Sequence, residues 1–244
     1  MNAVLRALRR LSHKAGFDVR GWPPLDPFYG NLKRLFEVQD VDVVLDVGGN
    51  TGQYAMNLRR AGYTGRIVSF EPASSTHAAL QAASAADARW SVAPAMALGD
   101  RDGEITLHLY NRSDMNSVHG LSDAAREVFP KLDPIGTETV AMRRLDSVLA
   151  DFVGPDETPF LKLDTQGAER AILDGAAGAL ARIPAVQAEM SLVALYDGGG
   201  QFEDVFDFLR GHSYRMEMTA PVTFSQTLGR QVEIDAVFVR QADA

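Results

Sequence analysis

The sequence predicts a single α/β domain built on a doubly wound, mostly parallel β-sheet that ends in a C-terminal antiparallel hairpin. Three observations predict it. From residue 41 onward, short apolar runs alternate with helical stretches, the pattern of repeated βαβ units. A glycine-rich turn, Gly48-Gly49-Asn50-Thr51-Gly52, follows the first of those runs. The 244 residues, 46% hydrophobic and 23% charged, can bury one full globular core.

Residues 41–47 read as a buried strand and 52–61 as its helix. Residues 66–70 form the second strand, 74–86 an alanine-rich helix and 90–98 the third strand. Residues 104–110 and 138–143 alternate like strands on either side of residues 111–136. That loop-rich stretch breaks the alternation and reads as an insertion over the edge or mouth of the sheet. Residues 160–163 are the fourth main strand, 168–175 its helix and 185–190 the fifth strand. A helix at 202–210 leads into 214–219 and 233–239, whose short separation predicts an antiparallel pair. Ahead of the sheet, residues 28–37 form a helix, and three prolines within residues 23–27 impose an irregular connection before it. Residues 1–40 are thus an N-terminal helical extension and 41–244 the ligand-binding domain, with its insertion near 111–137.

Charge narrows the function. The 24 Lys and Arg against 32 Asp and Glu leave a net charge of −8, which excludes a generally basic surface and argues against a nucleic-acid partner. Residues 1–20 are the exception: Arg6, Arg9, Arg10, Lys14 and Arg20 against Asp18 make a local +4, leaving −12 on the other 224 residues. Within residues 3–15, Val4, Leu5, Leu8 and Leu11 recur at helical spacing. This short basic helix either packs its leucines on the domain or makes weak contact with an anionic membrane surface, and its shortness favours packing. The absence of cysteine excludes disulfides, a cysteine nucleophile and thiolate metal sites, and fits a cytoplasmic location. No apolar run approaches the roughly 20 residues of a membrane helix, and Arg6, Arg9 and Arg10 interrupt what would be the core of a signal peptide.

The chemistry sits at strand ends. Asp46, two residues before Gly48, gives D-x-G-x-N-x-G in place of the dinucleotide fingerprint, which would need glycine at Val47. An acid there faces the ligand crevice, where it attracts an ammonium group and repels a pyrophosphate. A cationic cofactor carrying an amino acid follows, and S-adenosylmethionine has both features. Glu71, ending the second strand before Pro72, can accept both ribose hydroxyls of an adenosine. Asp164 ends the strand at Phe160-Leu161-Lys162-Leu163, and Glu189 ends the next one on the same side. Glu169, in the first turn of the helix after Gly167, is better read as stabilising that helix terminus than as catalytic. Leu195-Tyr196-Asp197 followed by Gly198-Gly199-Gly200 reads equally well as a lid or as a flexible loop.

Taken together, D-V-G-G-N-T-G at 46–52, F-E-P at 70–72, A-L-G-D at 97–100, L-K-L-D-T-Q-G-A-E at 161–169 and Q-A-E at 187–189 resemble the FkbM-type methyltransferases, a family of S-adenosylmethionine-dependent O-methyltransferases with a Rossmann-like sheet. The resemblance covers roughly residues 41–215. It implies that Asp46, Gly48, Asn50 and Gly52 cradle the methionine part of the cofactor, that Glu71 holds the ribose, that Met96 and Ala97 lie near adenine, and that Asp164 faces the transferred methyl. Tyr54, in the helix that follows, completes the expected cofactor-binding set. The chain departs from the family at Gly49, often alanine there, and at Ala168, where an aromatic residue is common. Neither change removes a functional group, and residues 1–40 lie outside the match.

Transfer from a sulfonium to a sugar or alcohol hydroxyl needs in-line alignment and a base or metal to take up the proton. The expected catalytic residues are Asp164 and Glu189, with His119 in the insertion as the neutral-pH alternative. A divalent ion between Asp164 and a second carboxylate is the other route, but the spacing of a histidine–carboxylate metal motif is absent and no metal ligand is assigned. The expected activity is O-methylation of a sugar, glycolipid or related secondary metabolite, releasing S-adenosylhomocysteine. The rivals are an NAD(P)-dependent oxidoreductase, which lacks both its third glycine at Val47 and a Ser/Tyr/Lys relay, and a non-catalytic adenosine-binding module, which would have no need to keep both Asp46 and Asp164.

Overall fold

The computed structural model describes residues 26–241 together with 11–12 and 14–17. The basic helix expected over residues 3–15 therefore lies largely outside the described residues. The first helix, α1 (Pro27–Val38), starts where the sequence can start it: Asp26 Oδ1 accepts from Phe28 N at 2.9 Å, and Pro27 fills the first turn. It is followed by β1 (Val43–Val47), α2 (Gln53–Arg60), β2 (Arg66–Phe70), α3 (Ser74–Ser84), β3 (Trp90–Val92), β4 (Ala97–Leu98), β5 (Gly103–Tyr110), α4 (Asp123–Val128), β6 (Pro134–Arg143), α5 (Leu145–Phe152), β7 (Pro159–Leu163), α6 (Glu169–Asp174), β8 (Ala185–Ser191), α7 (Phe202–Gly211), β9 (Tyr214–Ser225) and β10 (Arg230–Arg240).

Seven strands form the main sheet in the order β3-β2-β1-β7-β8-β10-β9. All neighbours are parallel except β10, which runs antiparallel to both β8 and β9. The chain winds outward from β1 to β3, then returns to lay β7 on the other side of β1. That reversal opens a crevice beyond the carboxyl ends of β1 and β7, where open α/β sheets bind ligands.

Both sheet faces are covered, which is why the inner strands read as continuous apolar runs. Val44, Ile67 and Phe160 pack with Leu32 and Phe36 of α1, Leu58 of α2 and Leu80 of α3. On the other face Leu45, Val68 and Leu163 pack with Val148 and Leu149 of α5, Ile172 and Leu173 of α6 and Leu209 of α7. Among the described residues no helix is long and apolar enough to cross a membrane.

Three expectations need correction. Residues 90–98 do not make one strand: β3 pairs with β2, whereas β4 leaves the main sheet to pair with β6 in a second sheet of order β4-β6-β5. Pro94 stands between them and has no N–H to continue a ladder. The helix α5 is additional to the elements expected, although its buried Leu145, Val148 and Leu149 do fall at helical spacing. The insertion is also tighter than expected, since β6 already begins at Pro134. It holds a 3-10 turn (Ser113–Met115) and α4, which Ser122 caps by accepting from Ala125 N at 3.1 Å.

Candidate active site

The loop after β1 is shaped by two glycines whose side chains would have nowhere to go. Gly48 has φ +79°, and a Cβ on it would lie 1.8 Å from the Asp164 carbonyl oxygen. Gly52, with φ +96°, abuts Trp90 in the same way. Gly48 N and Gly49 N both donate to Phe70 O, at 3.0 and 2.9 Å, tying the loop to the end of β2. Asp164 N donates to Val47 O at 3.2 Å, so the ends of β1, β2 and β7 converge on one cleft.

Gly48, Asn50, Glu71, Met96, Ala97, Asp164 and Glu189, seven of the residues expected to act, line this cleft. Glu71 Oε2 accepts from Asn50 N at 2.9 Å, and its Oε1 from Ala73 N at 3.1 Å and Thr76 Oγ1 at 2.8 Å. Burial raises the Glu71 pKa, with those three donors opposing the rise. Phe70, Leu98 and Leu107 supply an apolar wall. The insertion closes the other side: Arg112, Met115 and Phe129 line the cleft, and Ser113 Oγ donates to Asn50 Oδ1 at 3.0 Å.

Four expected site residues do not line it. Asp46, 0% exposed, is held beneath the loop, with Oδ1 3.1 Å from Lys162 Nζ and Oδ2 accepting from Ser69 Oγ at 2.8 Å. The ammonium it was expected to meet on a ligand is thus supplied by Lys162. Gly52 packs against Trp90 instead of facing a ligand. Tyr54 is buried, and its hydroxyl donates to Gln187 Oε1 at 2.8 Å. His119 turns toward the Asp197 backbone, and burial lowers its pKa against that hydrogen bond. Asp46 and Tyr54 support the cleft floor through Lys162, whose Nζ lies 3.1 Å from Asp46 Oδ1 and 5.2 Å from the Tyr54 ring centroid.

Asp164 and Glu189 meet at the cleft through Gln166. The Gln166 amide donates to Asp164 Oδ1 at 3.1 Å and to Glu189 Oε1 at 2.8 Å. Lys162 Nζ lies 3.4 Å from Asp164 Oδ2 and also donates to Gly48 O at 3.0 Å. Burial alone would pull the Lys162 pKa down, but the carboxylates of Asp164, Asp46 and Asp235 outweigh it and raise it. Glu189 is pushed well above the usual carboxylate range by burial and then by Asp164, Glu233, Asp235 and Glu169. Glu169 accepts from Thr165 N at 2.6 Å and Gly167 N at 3.0 Å, holding the turn that presents Asp164.

Sequence reading gave no role to Gln166, Lys162, Glu233 or Arg112. Glu233 and Thr223, from the closing hairpin, line the cleft, and burial raises the Glu233 pKa to about 7. Each left a signal. Lys162 stands in the middle of an apolar strand, where an amine needs a carboxylate partner. Glu233 and Asp235 repeat at the period of a strand on one face of β10. Among the described residues no three His, Asp or Glu side chains are placed to hold one metal ion.

Comparison with known proteins gives a family. A model of the methyltransferase FkbM domain matches residues 46–216. No curated protein sequence matches the chain. Among solved structures it is similar to an O-methyltransferase from Bacillus cereus in complex with SAH, at 12% identity and a TM-score of 0.49, over 98% of this chain and 92% of that one. It is also similar to a putative O-methyltransferase from Klebsiella pneumoniae, at 10% identity and a TM-score of 0.48, over 99% and 91%. A third is the O-methyltransferase TomG from Streptomyces achromogenes, involved in tomaymycin synthesis and in complex with SAM, at 13% identity and a TM-score of 0.47, over 99% and 91%.

Proposed function

This chain belongs to the FkbM methyltransferase family, and from that premise we propose that it moves the methyl group of S-adenosylmethionine to a hydroxyl of a sugar, glycolipid or related secondary metabolite. The observation that carries the reading is the meeting of Glu71, Asp164 and Glu189 in one cleft at the reversal of strand order. The donor set fits the cofactor. Carboxylates suit a cation and a pair of ribose hydroxyls, and the wall of Phe70, Met96, Leu98 and Leu107 suits a flat apolar base. A pyrophosphate would face the same carboxylates with Arg112 as the one basic side chain on the cleft wall among the described residues.

When bound, the cofactor would supply an electrophilic methyl on a sulfonium, the carbon–sulfur electron pair staying on sulfur as the acceptor oxygen takes the methyl. The chain supplies the rest. Glu71 orients the ribose end, and the insertion residues Arg112 to Asn116 cover the cleft and exclude water. Asp164, an anion beside Lys162, takes the proton that the acceptor hydroxyl loses. The reading is tested by titrating the protein with S-adenosylhomocysteine and with NAD in a calorimeter. Binding of the first and not the second is expected; no binding of S-adenosylhomocysteine overturns it. Labelled methyl transfer to soluble glycosides, compared with glycolipids in anionic vesicles, then identifies the acceptor and whether residues 1–15 help reach it.

A further inference from the structure

We propose that Gln166 is the positioning residue of this site, its amide fastening Asp164 to Glu189 so that Asp164 carries the pair's charge and Glu189 its proton. The inference rests on the methyltransferase reading of the cleft.

The geometry leaves the amide no freedom. Its two hydrogens are both spent, one on Asp164 Oδ1 at 3.1 Å and one on Glu189 Oε1 at 2.8 Å. Its oxygen accepts from the Tyr196 hydroxyl, which opposes a flip that would aim a carbonyl at two carboxyl groups. The main chain is pinned as firmly. Gln166 has φ +59°, a left-handed conformation that is unfavourable for a side-chain-bearing residue and persists only where the surroundings impose it. Here they do: Ser117 Oγ donates to Gln166 O at 2.6 Å, and the neighbouring Gly167 N is held by Glu169 Oε2 at 3.0 Å.

The two carboxyl groups differ in what stands behind them. Asp164 Oδ2 lies 3.4 Å from the Lys162 ammonium. Among the described residues Glu189 has no ion pair; the charged groups around it are Asp164 and Glu169 from the turn after β7 and Glu233 and Asp235 from β10, the directly opposed cross-strand partner being Asp235. Of two acids sharing one donor, the one beside the cation ionises and the one among anions stays protonated. A hydroxyl that gives up its proton on attacking the methyl therefore passes it to the Asp164 carboxylate, because Glu189 already holds one.

Infrared titration of the protein without cofactor tests this. A protonated-carboxyl band is expected at pH 7 that Glu189→Gln removes and Asp164→Asn leaves in place; a band removed by Asp164→Asn instead overturns the proposal. Gln166→Leu, which keeps the bulk but donates nothing, is expected to move the titration of that band upward by at least one pH unit. It should also lower kcat at least tenfold while the Kd for S-adenosylhomocysteine stays within threefold. Tyr196→Phe, a milder change should Gln166→Leu fail to fold, is expected to shift the band in the same direction by less. Band positions and rates unchanged in both variants overturn the proposal. Loss of S-adenosylhomocysteine binding by the unaltered protein would sink the methyltransferase reading alone, since the infrared result needs no cofactor.

Discussion

Lys162 Nζ lies 3.1 Å from Asp46 Oδ1 in the middle of the sheet, with both side chains sealed from water. Withdrawing two charges from water costs several kcal/mol each and is offset only where the remaining hydrogen-bonding capacity is used. Lys162 uses it, reaching Val47 O at 3.3 Å and Gly48 O at 3.0 Å. Lys162→Met leaves the buried Asp46 carboxylate without its cation and is expected to lower the unfolding free energy by about 3–5 kcal/mol, measured by urea denaturation. Combined with Asp46→Asn, the loss should be smaller than the two single losses added. A Lys162→Met loss below about 1 kcal/mol would show that the pair contributes nothing.

Asp164→Asn keeps the shape of the residue and its place at the end of β7 but removes the proton acceptor. The expected outcome is a fall in kcat of about 10²–10⁴-fold. Affinity for S-adenosylhomocysteine, read by calorimetry, should be retained. An unimpaired rate would reject Asp164 as the base.

Glu71→Gln exchanges a charged acceptor for a neutral one where the proposed function puts the ribose. Hydrogen bonds to charged groups are worth about 1 kcal/mol more than neutral ones, so S-adenosylhomocysteine should bind roughly fivefold more weakly. Stability should fall as well, because Asn50 N, Ala73 N and Thr76 Oγ1 all donate to this carboxylate. An unchanged Kd would mean that the ribose is held elsewhere.

Glu233 gives a dependence on pH. Burial raises its pKa from 4.5 to about 7, so between those values the folded state holds a proton that the unfolded state has released. Stability from this group therefore falls as pH rises from about 4.5 to about 7, by up to about 3 kcal/mol at roughly 1.4 kcal/mol per unit. Glu233→Gln should remove that decline, matching the unaltered protein near pH 4 and exceeding it at pH 8 in thermal denaturation. A constant difference across the range would contradict it.

The strand pattern was legible wherever burial is two-sided. β2 lies at the residues expected because Ile67, Val68, Ser69 and Phe70 are all enclosed, giving an unbroken run bounded by turns. Residues 90–98 misled because apolar spacing is blind to which sheet a strand joins, and Pro94 marks the change of partner. The site was legible as strand-end acids but not as partners. Nothing local distinguishes Asp164, which meets the cleft, from Asp46, which meets Lys162 one strand away. Register decides it, since Asp46 is paired with Lys162 across β1 and β7. Glu233 lies 44 residues beyond Glu189 and reaches the cleft only through the antiparallel return of β10.

Among the described strands β10 comes last in the chain and yet sits inside the sheet, between β8 and β9. β8 and β9 are joined into one sheet only when residues 230–240 lie between them. Only then do Glu233 and Thr223 face Asp164 and Glu189 across a finished pocket. The acids that follow β7 and lie on β8 therefore share their cleft with a wall that only the closing hairpin supplies.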